Sequence, residues 1–342
     1  MNAPDKHLIT FLLLAYNQER FIREAVVGAF AQTYTPLEII LSDDCSSDGT
    51  FALMSEMAAS YSGPHTIVLN RNERNLGIGA HINRVMEFAS GELIVAAAGD
   101  DISVSERTSR ICEEWLRHGS GCYSLYSDVN LIDDEGRQSG CLFEGRSPDH
   151  AQSLKQAIVK GRVGVSGCSH AFSRKTFDLF GPMDDRVVAE DMVIPFRSLL
   201  LGDIRFLSDP LVQYRVHSGN ISIGSTRRPT LARRSRDTLN QEAVILTWIH
   251  DVRKACLLDF VTQQDADSIC FELYEHLLWM RMERSFYARG WIAGLYYLFR
   301  RWLNISTLSR AAKLIERRCR SLNSEPVIST DTILRASKKG DS

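Results

Sequence analysis

The sequence predicts an α/β protein with a mostly parallel, Rossmann-like sheet, helices on both faces of that sheet, and a helical C-terminal region. Between residues 7 and 101, short apolar runs alternate with helical patterns. The apolar runs are almost continuous, which is typical of parallel strands that are covered on both faces. In chain order, we expect strands at Leu8–Ala15, Glu38–Ser42, Thr66–Leu69 and Glu92–Ala97, and helices at Phe21–Gln32, Gly49–Ser60 and Gly79–Ala89.

The pattern changes twice after residue 101. Residues 122–226 are mixed, with expected strands at Cys122–Tyr126, Val163–Phe172, Ile204–Leu207 and Leu211–Val216. A basic junction at residues 226–236 then leads into a helical pattern. We therefore divide the chain into an α/β domain (1–226), a helical region (227–323) and a polar, loose tail (324–342).

Composition is that of a globular protein and excludes several classes. The chain has 342 residues, 44% of them hydrophobic, which is enough for a well-buried core. The eight cysteines form no C-x-x-C pair, so we expect reduced thiols and neither zinc nor disulfides. The N-terminal apolar run, Leu8–Ala15, is too short for a signal peptide or a membrane span, so we expect a cytoplasmic protein.

Charge is unevenly distributed along the chain. Residues 1–226 carry 20 basic and 29 acidic side chains, and the remaining residues carry 20 basic and 13 acidic ones. The C-terminal part therefore suits an anionic partner or an acidic surface of the first domain. The basic cluster between Arg227 and Arg236 has no interleaved aromatic residues, so we expect no nucleic-acid partner.

Polar residues follow the first two expected strands. Tyr16 could stack on a nucleobase, while Asn17 and Glu19 could bond a base or a ribose, or simply favour a helix start. Asp43 and Asp44 follow the second strand, where a carboxylate can accept hydrogen bonds from a base or a ribose. The carboxyl ends of parallel strands meet at one edge, so we expect these residues to lie in one cleft.

Acidic pairs recur farther along the chain. Asp100 and Asp101 follow the fourth strand after Gly99, which would let the backbone approach a phosphate while the carboxylates face a cation. Asp191 stands at an expected helix start, where the macrodipole would favour an ionised base, although capping is an alternative role. His217 could be a metal or phosphate ligand, or an ordinary surface or core histidine.

Taken together, these motifs resemble the family 2 glycosyltransferases, which have the GT-A nucleotide-sugar-binding fold. The likeness covers roughly the first 220 residues. It rests on four segments in the family's order, namely residues 12–50, residues 74–102, the Ala-Glu-Asp run at 189–191, and residues 214–222. Residues 1–226 would then be the nucleotide-sugar-binding and catalytic domain.

The resemblance implies an inverting transfer of a sugar from a nucleotide diphosphate donor to a hydroxyl of a glycan or lipid-linked glycan. It also implies a divalent cation, Mn²⁺ or Mg²⁺, and surface-glycan or polysaccharide synthesis as the setting. Asp191 would be the general base, and the metal ligands would be Asp100, Asp101 and His217. The donor nucleotide would be held by Ala15, Tyr16, Asn17, Glu19, Asp43, Asp44, Asn75, Gly77 and Asp100.

One position departs from the family pattern. The family often has Asp-x-Asp-Asp where this chain reads Ala98-Gly99-Asp100-Asp101, so the first acid is missing. We expect weaker donor binding rather than lost activity, and a binding-only or scaffold relative is the alternative. A nicotinamide-dependent dehydrogenase is disfavoured, because no G-x-G-x-x-G follows the first strand.

The C-terminal segment at residues 291–318 mixes aromatic and basic residues. The favoured interpretation is a helix packed on the catalytic domain with a solvated basic face. The alternative is peripheral contact with the inner face of a membrane, with the aromatics at headgroup depth and the arginines on anionic lipid.

Overall fold

A computed structural model describes residues 7–144, 153–217, 220 and 231–289 of the chain. The first strands and helices lie close to their expected positions. They alternate as β1 (Ile9–Ala15), α1 (Ile22–Phe30), β2 (Leu37–Asp43), α2 (Thr50–Ser60), β3 (Thr66–Arg71), α3 (Ile78–Met86) and β4 (Leu93–Ala98).

Short elements and then long helices follow. In order they are β5 (Ile102–Ser103), α4 (Arg107–His118), β6 (Cys122–Ile132), β7 (Gln138–Cys141), α5 (Leu154–Lys160), β8 (Ala171–Ser173), α6 (Lys175–Phe180), α7 (Glu190–Leu201), β9 (Asp203–Arg215), α8 (Leu231–Leu257) and α9 (Gln263–Arg289). The helical pattern expected after residue 226 is therefore confirmed for α8 and α9, and the expected helix beyond residue 289 lies outside the described residues.

All nine described strands join one mixed sheet in the order β3-β2-β1-β4-β8-β6-β9-β5, with β7 paired to β6. The pairs among β1, β2, β3 and β4 are parallel, as predicted. Beyond β4 the sheet becomes mixed, because β8 runs antiparallel to both β4 and β6, while β6 and β9 are parallel.

Helices cover both faces of the sheet, as expected. Alternate residues of β1 point to opposite faces: Leu12 packs with α3, α7, α8 and α9, whereas Phe11 and Leu13 pack with α1, α2 and α4. The apolar side chains of α1 recur at three- and four-residue spacing, which gives the helix one buried face. Two hydrophobic cores therefore sandwich the parallel strands.

Three expected strands differ in the structure. Val163–Phe172 was predicted as one strand, but only Ala171–Ser173 is a strand, and Gly167–Ser169 forms a turn of 3₁₀-helix. The glycines at 164 and 167 interrupt the apolar run, and residue 167 packs closely against the first turn of α7. The strands expected at Ile204–Leu207 and Leu211–Val216 are instead a single strand, β9, with irregular register opposite β6.

The described residues up to Arg284 form one compact unit. The division into domains at residues 226 and 323 stays a prediction. Within the described residues, every helix is too short or too polar to cross a bilayer. The aromatic and basic segment at 291–318, for which peripheral membrane contact was considered, lies outside the described residues.

Candidate active site

Three strand ends lie side by side at the carboxyl edge of the parallel strands. The register pairs Ala15 of β1 with Asp43 of β2, and Leu14 of β1 with Ala98 of β4. The loops that begin with Tyr16, Asp44 and Gly99 therefore leave the sheet together, as predicted. We call the connections that follow β1, β2 and β3 the loop cluster.

Side chains of the first loop hold the second loop in place. The Asn17 Oδ1 accepts a hydrogen bond from the Ser47 N–H at 2.8 Å, and the Glu19 carboxylate accepts one from the Gly49 N–H at 2.9 Å. In return, the Asp48 carboxylate accepts from the Glu19 N–H at 3.1 Å. The Asn17 backbone is left-handed, with φ of 53°, so the loop turns sharply at this residue. Contact of Asn17 or Glu19 with a nucleotide stays a prediction.

Asp43 and Asp44 are buried and fully engaged within the loop cluster. Asp43 accepts hydrogen bonds from the Ser46 backbone and hydroxyl. Asp44 accepts from the backbone N–H groups of Leu76 and Gly77, each at 2.9 Å, one on each carboxylate oxygen. The second loop is thereby joined to the third.

The third loop carries Asn75 and Gly77, both expected to line a nucleotide pocket. Gly77 has a φ of 80°. The Gly77 N–H donates a hydrogen bond to the Asn75 Oδ1 at 2.9 Å. These two residues lie beside Asp44, so the structure brings together the predicted nucleotide residues of all three loops. Tyr16 is 46% exposed, which leaves its ring available for stacking.

A buried polar chain behind Asp44 was missed from the sequence. The Asn72 Nδ2 donates to Asp44 at 2.8 Å, and Asn70 donates both to Asn72 and to the Ser42 hydroxyl. The Ser42 hydroxyl also lies 2.6 Å from the His81 Nε2. Burial lowers the pKa of His81, which favours its neutral form. Asn72 stands between Arg71 and Glu73, so the sequence gives no signal of its burial.

Asp100 and His217, both predicted as metal ligands, meet in the structure. The His217 Nε2 lies 3.0 Å from the Asp100 carboxylate, and both side chains are mostly buried. The His217 ring packs on Phe21, with 5.0 Å between ring centroids. A cleft of about 400 Å³ opens beside this pair, lined by residues 17–21, Asp48 and His217.

Asp101 faces inward and holds β9. Its Oδ1 accepts a hydrogen bond from the Arg215 N–H at 2.9 Å, whereas its buried Oδ2 has no hydrogen-bond partner among the described residues. Burial, followed by the negative charge of Asp100, raises the pKa of Asp101 well above its usual range. Direct metal coordination by Asp101 stays a prediction, and its visible contact is structural.

The donor atoms present fit a divalent cation in part. Among the described residues, no group of three or more histidine, cysteine or acidic side chains is placed to hold a metal ion. Asp100 and His217 nevertheless offer one carboxylate and one imidazole next to an open cleft. Mg²⁺ typically takes only one or two protein carboxylates and completes its shell with water and substrate phosphates. The pair therefore suits a cation shared with a diphosphate.

Arg215 is a site residue that sequence reasoning did not identify. It is buried, and its guanidinium donates to the Asp100 carbonyl at 3.1 Å, to the Glu24 carboxylate at 2.8 Å and to the Asp133 carbonyl at 3.1 Å. It thus ties α1, the end of β4 and the β6–β7 turn to the strand that leads into His217. A single arginine at the end of a strand gives no sequence signal for such a role.

Gly99 lies where the first loop packs against the end of β4. A Cβ atom at this position would clash with the Gln18 side-chain oxygen and lie 3.0 Å from the Ala15 Cβ. A larger residue would therefore displace the first loop. The expectation that Gly99 gives a phosphate access to the backbone stays a prediction.

Glu190 and Asp191 form the first turn of α7, which we call the acidic turn. A Cβ atom at Gly167 would lie 3.0 Å from the Glu190 Oε1 and 3.4 Å from the Asp191 Cβ, so only glycine fits there without displacement. The predicted helix start is confirmed.

The acidic turn is less easily ionised than the sequence predicted. The helix start was expected to favour the ionised form of Asp191, but burial outweighs the hydrogen bonds from backbone N–H groups and raises the pKa of Asp191 to about 6. Burial and the charge of Asp191 raise the pKa of Glu190 to about 8.

The acidic turn and the Asp100–His217 pair share a neighbour. Gly167 contacts the acidic turn, while the next residue, Cys168, lies close enough to Asp101 and Asp100 for their charges to raise the pKa of its buried thiol further. The Gly167–Cys168 segment is therefore near both the acidic turn and the carboxylates of Asp100 and Asp101.

Comparisons with known proteins agree with this architecture. Residues 10–179 match the family model described as Glycosyl transferase family 2. The putative glycosyltransferase EpsE of Bacillus subtilis is 34% identical over 135 residues, covering 40% of this chain and 46% of EpsE. The succinoglycan biosynthesis protein ExoO of Rhizobium meliloti is 31% identical over 205 residues, covering 58% of this chain and 52% of ExoO. The chain thus matches about half the length of these relatives.

The fold resembles that of S. aureus TarS residues 1–349, crystallised in complex with UDP-GlcNAc. The TM-score is 0.55 at 17% identity, over 82% of this chain and 73% of that chain. The expected GT-A type of fold is thereby confirmed. The fold and the family match define a glycosyltransferase domain of the GT-A type. The chain belongs to glycosyltransferase family 2.

Proposed function

We propose that this protein transfers a sugar, with inversion, from a nucleotide diphosphate donor to an acceptor hydroxyl during polysaccharide synthesis. The observation that carries the proposal is the meeting of the Asp100 and His217 side chains beside an open cleft, together with a second acidic group, the acidic turn, which packs against Gly167. The acidic turn would remove a proton from an acceptor, and the Asp100–His217 pair would stabilise the charge that develops on a leaving diphosphate. The ExoO name, which refers to succinoglycan biosynthesis, supports the polysaccharide setting.

Donor binding is assigned to the loop cluster. The exposed ring of Tyr16 would stack on the base, and Ala15 with the loops fixed by Asp43 and Asp44 would form the walls of its pocket. Asn75 and Gly77 would line the same pocket, beside the loop that Asn17 and Glu19 hold in place. Asp100 and His217 would hold Mn²⁺ or Mg²⁺, which when bound neutralises the diphosphate charge.

Asp191 is assigned as the general base. Its raised pKa still leaves the carboxylate mostly ionised at neutral pH, and its proximity to that pH suits proton removal. Glu190, with the higher pKa, would remain protonated at that pH. The neutral neighbour spares Asp191 the repulsion of a second charge at close range.

The test uses purified protein, a panel of nucleotide sugars and Mn²⁺ or Mg²⁺. We expect one donor to raise the melting temperature and to release its nucleoside diphosphate when an acceptor is added. Asp191→Asn should lower kcat by about 10²- to 10⁴-fold and leave donor affinity unchanged. Asp178→Asn, the same chemical change at an exposed position on α6, is the matched control. Wild-type turnover in Asp191→Asn would reject the base.

A binding-only protein is the second candidate, and Ala98 favours it. The position occupied by an acid in many family members is an alanine at the end of β4, next to Asp100. Such a protein would bind donor saturably and release no nucleoside diphosphate under any acceptor or metal condition. Ala98→Asp separates the two candidates further, because with metal present it should speed the release of nucleoside diphosphate from an enzyme, whereas a binding-only protein would bind donor more tightly and still release none.

A further inference from the structure

Helix α8 contacts the turn that carries Asp191. The Trp248 indole N–H donates a hydrogen bond to the Met192 carbonyl at 3.0 Å, and Met192 directly follows Asp191. The Trp248 ring also stacks on Phe196, one turn farther along α7, with 4.1 Å between centroids and 5° between planes. Trp248 and Phe196 are fully buried. The Trp248 side chain therefore contacts α7 twice, at the backbone carbonyl of Met192 and at the ring of Phe196.

The first turn of α7 depends on such outside support. Pro195 lies inside the helix and has no N–H to donate to the Asp191 carbonyl four residues earlier. The N-cap residue, Ala189, makes no side-chain hydrogen bond to the turn. The acidic turn therefore lacks two of the bonds that usually fix a helix start.

A second contact between the same helices fixes α7 farther along. Arg197 and Asp251 form an ion pair at 2.7 Å, and both side chains are fully buried. The Arg197 guanidinium also donates to the Gly181 carbonyl at 2.7 Å, which joins the loop after α6 to the pair. Arg197 fixes α7 about one and a half turns after Asp191. Trp248 contacts the first turn of α7, which the Arg197 contacts do not reach.

We propose that Trp248 is a positioning residue, which through its hydrogen bond to the Met192 carbonyl and its stacking on Phe196 sets the placement of the Asp191 carboxylate. The inference rests on the proposed role of Asp191 as general base. Both α7 and α8 lie beyond residues 10–179, so the match to the family model assigns nothing to either helix. Small displacements of a reacting group reduce rates strongly, which gives such support a measurable effect.

Trp248→Phe tests this role, because it keeps an aromatic ring next to Phe196 and removes the indole N–H. We expect kcat to fall about tenfold while the donor KM changes less than about twofold. A loosened turn admits water to Asp191, so its pKa, followed by ¹³C-carboxyl NMR titration, should move down from about 6 toward the ordinary value. Trp115→Phe, the same change on α4 and the opposite face of the sheet, should alter neither quantity.

The outcomes separate the two proposals. An Asp191 titration in Trp248→Phe that matches the Trp115→Phe control overturns the positioning role, whatever the turnover. Wild-type turnover in Asp191→Asn overturns the base assignment and leaves the NMR result to stand on its own. Loss of turnover in Asp191→Asn together with a lowered Asp191 pKa and lowered kcat in Trp248→Phe supports both.

Discussion

In the loop cluster, the carboxylates of Glu19, Asp43 and Asp44 accept hydrogen bonds from backbone N–H groups within the cluster. In the acidic turn, burial instead raises the pKa of both Glu190 and Asp191. The first arrangement satisfies each charge and makes the acids part of the scaffold. The second leaves the charges costly to bury, which is the condition expected of a group that exchanges protons during function. Two similar acidic dipeptides, Asp43-Asp44 and Glu190-Asp191, thus stand in different environments: the first is hydrogen-bonded into the loops, and the second has raised pKa values.

The largest expected effect tests the scaffold side of this contrast. In Asp44→Asn the amide keeps one acceptor oxygen, and its NH₂ group must face a backbone N–H of Leu76 or Gly77. We expect the free energy of unfolding to fall by about 2–4 kcal/mol, because buried donors lose their partner. Urea denaturation measures this, with Asp178→Asn as the exposed control. An Asp44→Asn protein as stable as the control would mean that Asp44 is not part of the scaffold.

The sequence was sufficient to predict the edge of the sheet at which the site lies. Continuous apolar runs identified β1, β2, β3 and β4 as parallel strands. Because the carboxyl ends of parallel strands lie at one edge of the sheet, the polar residues that follow them were expected at that edge. Family motifs then selected Asp100, Asp191 and His217. The contact between Asp100 and His217 joins residues 117 positions apart, and both the motif order and the structure agree on it.

The roles of individual acids were harder to predict, for a physical reason. A carboxylate has a structural role when several N–H groups donate hydrogen bonds to it, and it is available for proton exchange when few do. Those N–H groups come from loops that are distant in the sequence. Asp44 is bonded by residues 72–77, and Asp101 by Arg215. Arg215 and Trp248 were missed for the same reason, since their partners lie in other elements and neither stands in a recognisable local pattern.

The second prediction tests the cost of the buried charge at Glu190. Its raised pKa means that the folded state holds a proton which the unfolded chain releases near pH 4.5, so stability is lost as the pH rises toward about 8. The full difference between pKa values of about 4.5 and about 8 would correspond to about 5 kcal/mol, and the partial exposure of Glu190 to solvent roughly halves that cost. Glu190→Gln removes the charge and should therefore raise the free energy of unfolding at pH 8.5 by about 2 kcal/mol, with little effect at pH 4. Thermal unfolding at both pH values measures this. The control, Glu113→Gln on the exposed face of α4, should show no such pH dependence.

A smaller effect concerns the pH dependence of turnover. The base must be ionised, and its pKa of about 6 means that the ionised fraction falls as the pH drops below that value. We expect kcat/KM for the acceptor to be about tenfold lower at pH 5 than at pH 7, since this ratio reports the pKa of the enzyme before the acceptor binds. Because Glu190 would be protonated over this range, Glu190→Gln should keep the same acidic limb. A kcat/KM that stays constant between pH 7 and pH 5 would exclude Asp191 as the titrating base.

The smallest effect sharpens the description of the loop cluster itself. Cys45 follows Asp44 and has a left-handed backbone with φ of 62°, a conformation that costs residues with a Cβ atom on the order of 1 kcal/mol. Its thiol donates a weak hydrogen bond to the Glu73 carbonyl at 3.5 Å. Cys45→Ala removes the thiol and keeps the strain, whereas Cys45→Gly removes both.

We therefore expect the glycine variant to be more stable than the alanine variant by about 0.5–1 kcal/mol, a difference reduced by the greater freedom of glycine in the unfolded chain. Urea denaturation of the two variants measures that difference. Equal stabilities would mean that the second loop relaxes around residue 45, and that the hydrogen bonds from Asp43 and Asp44 hold it less firmly than the structure indicates.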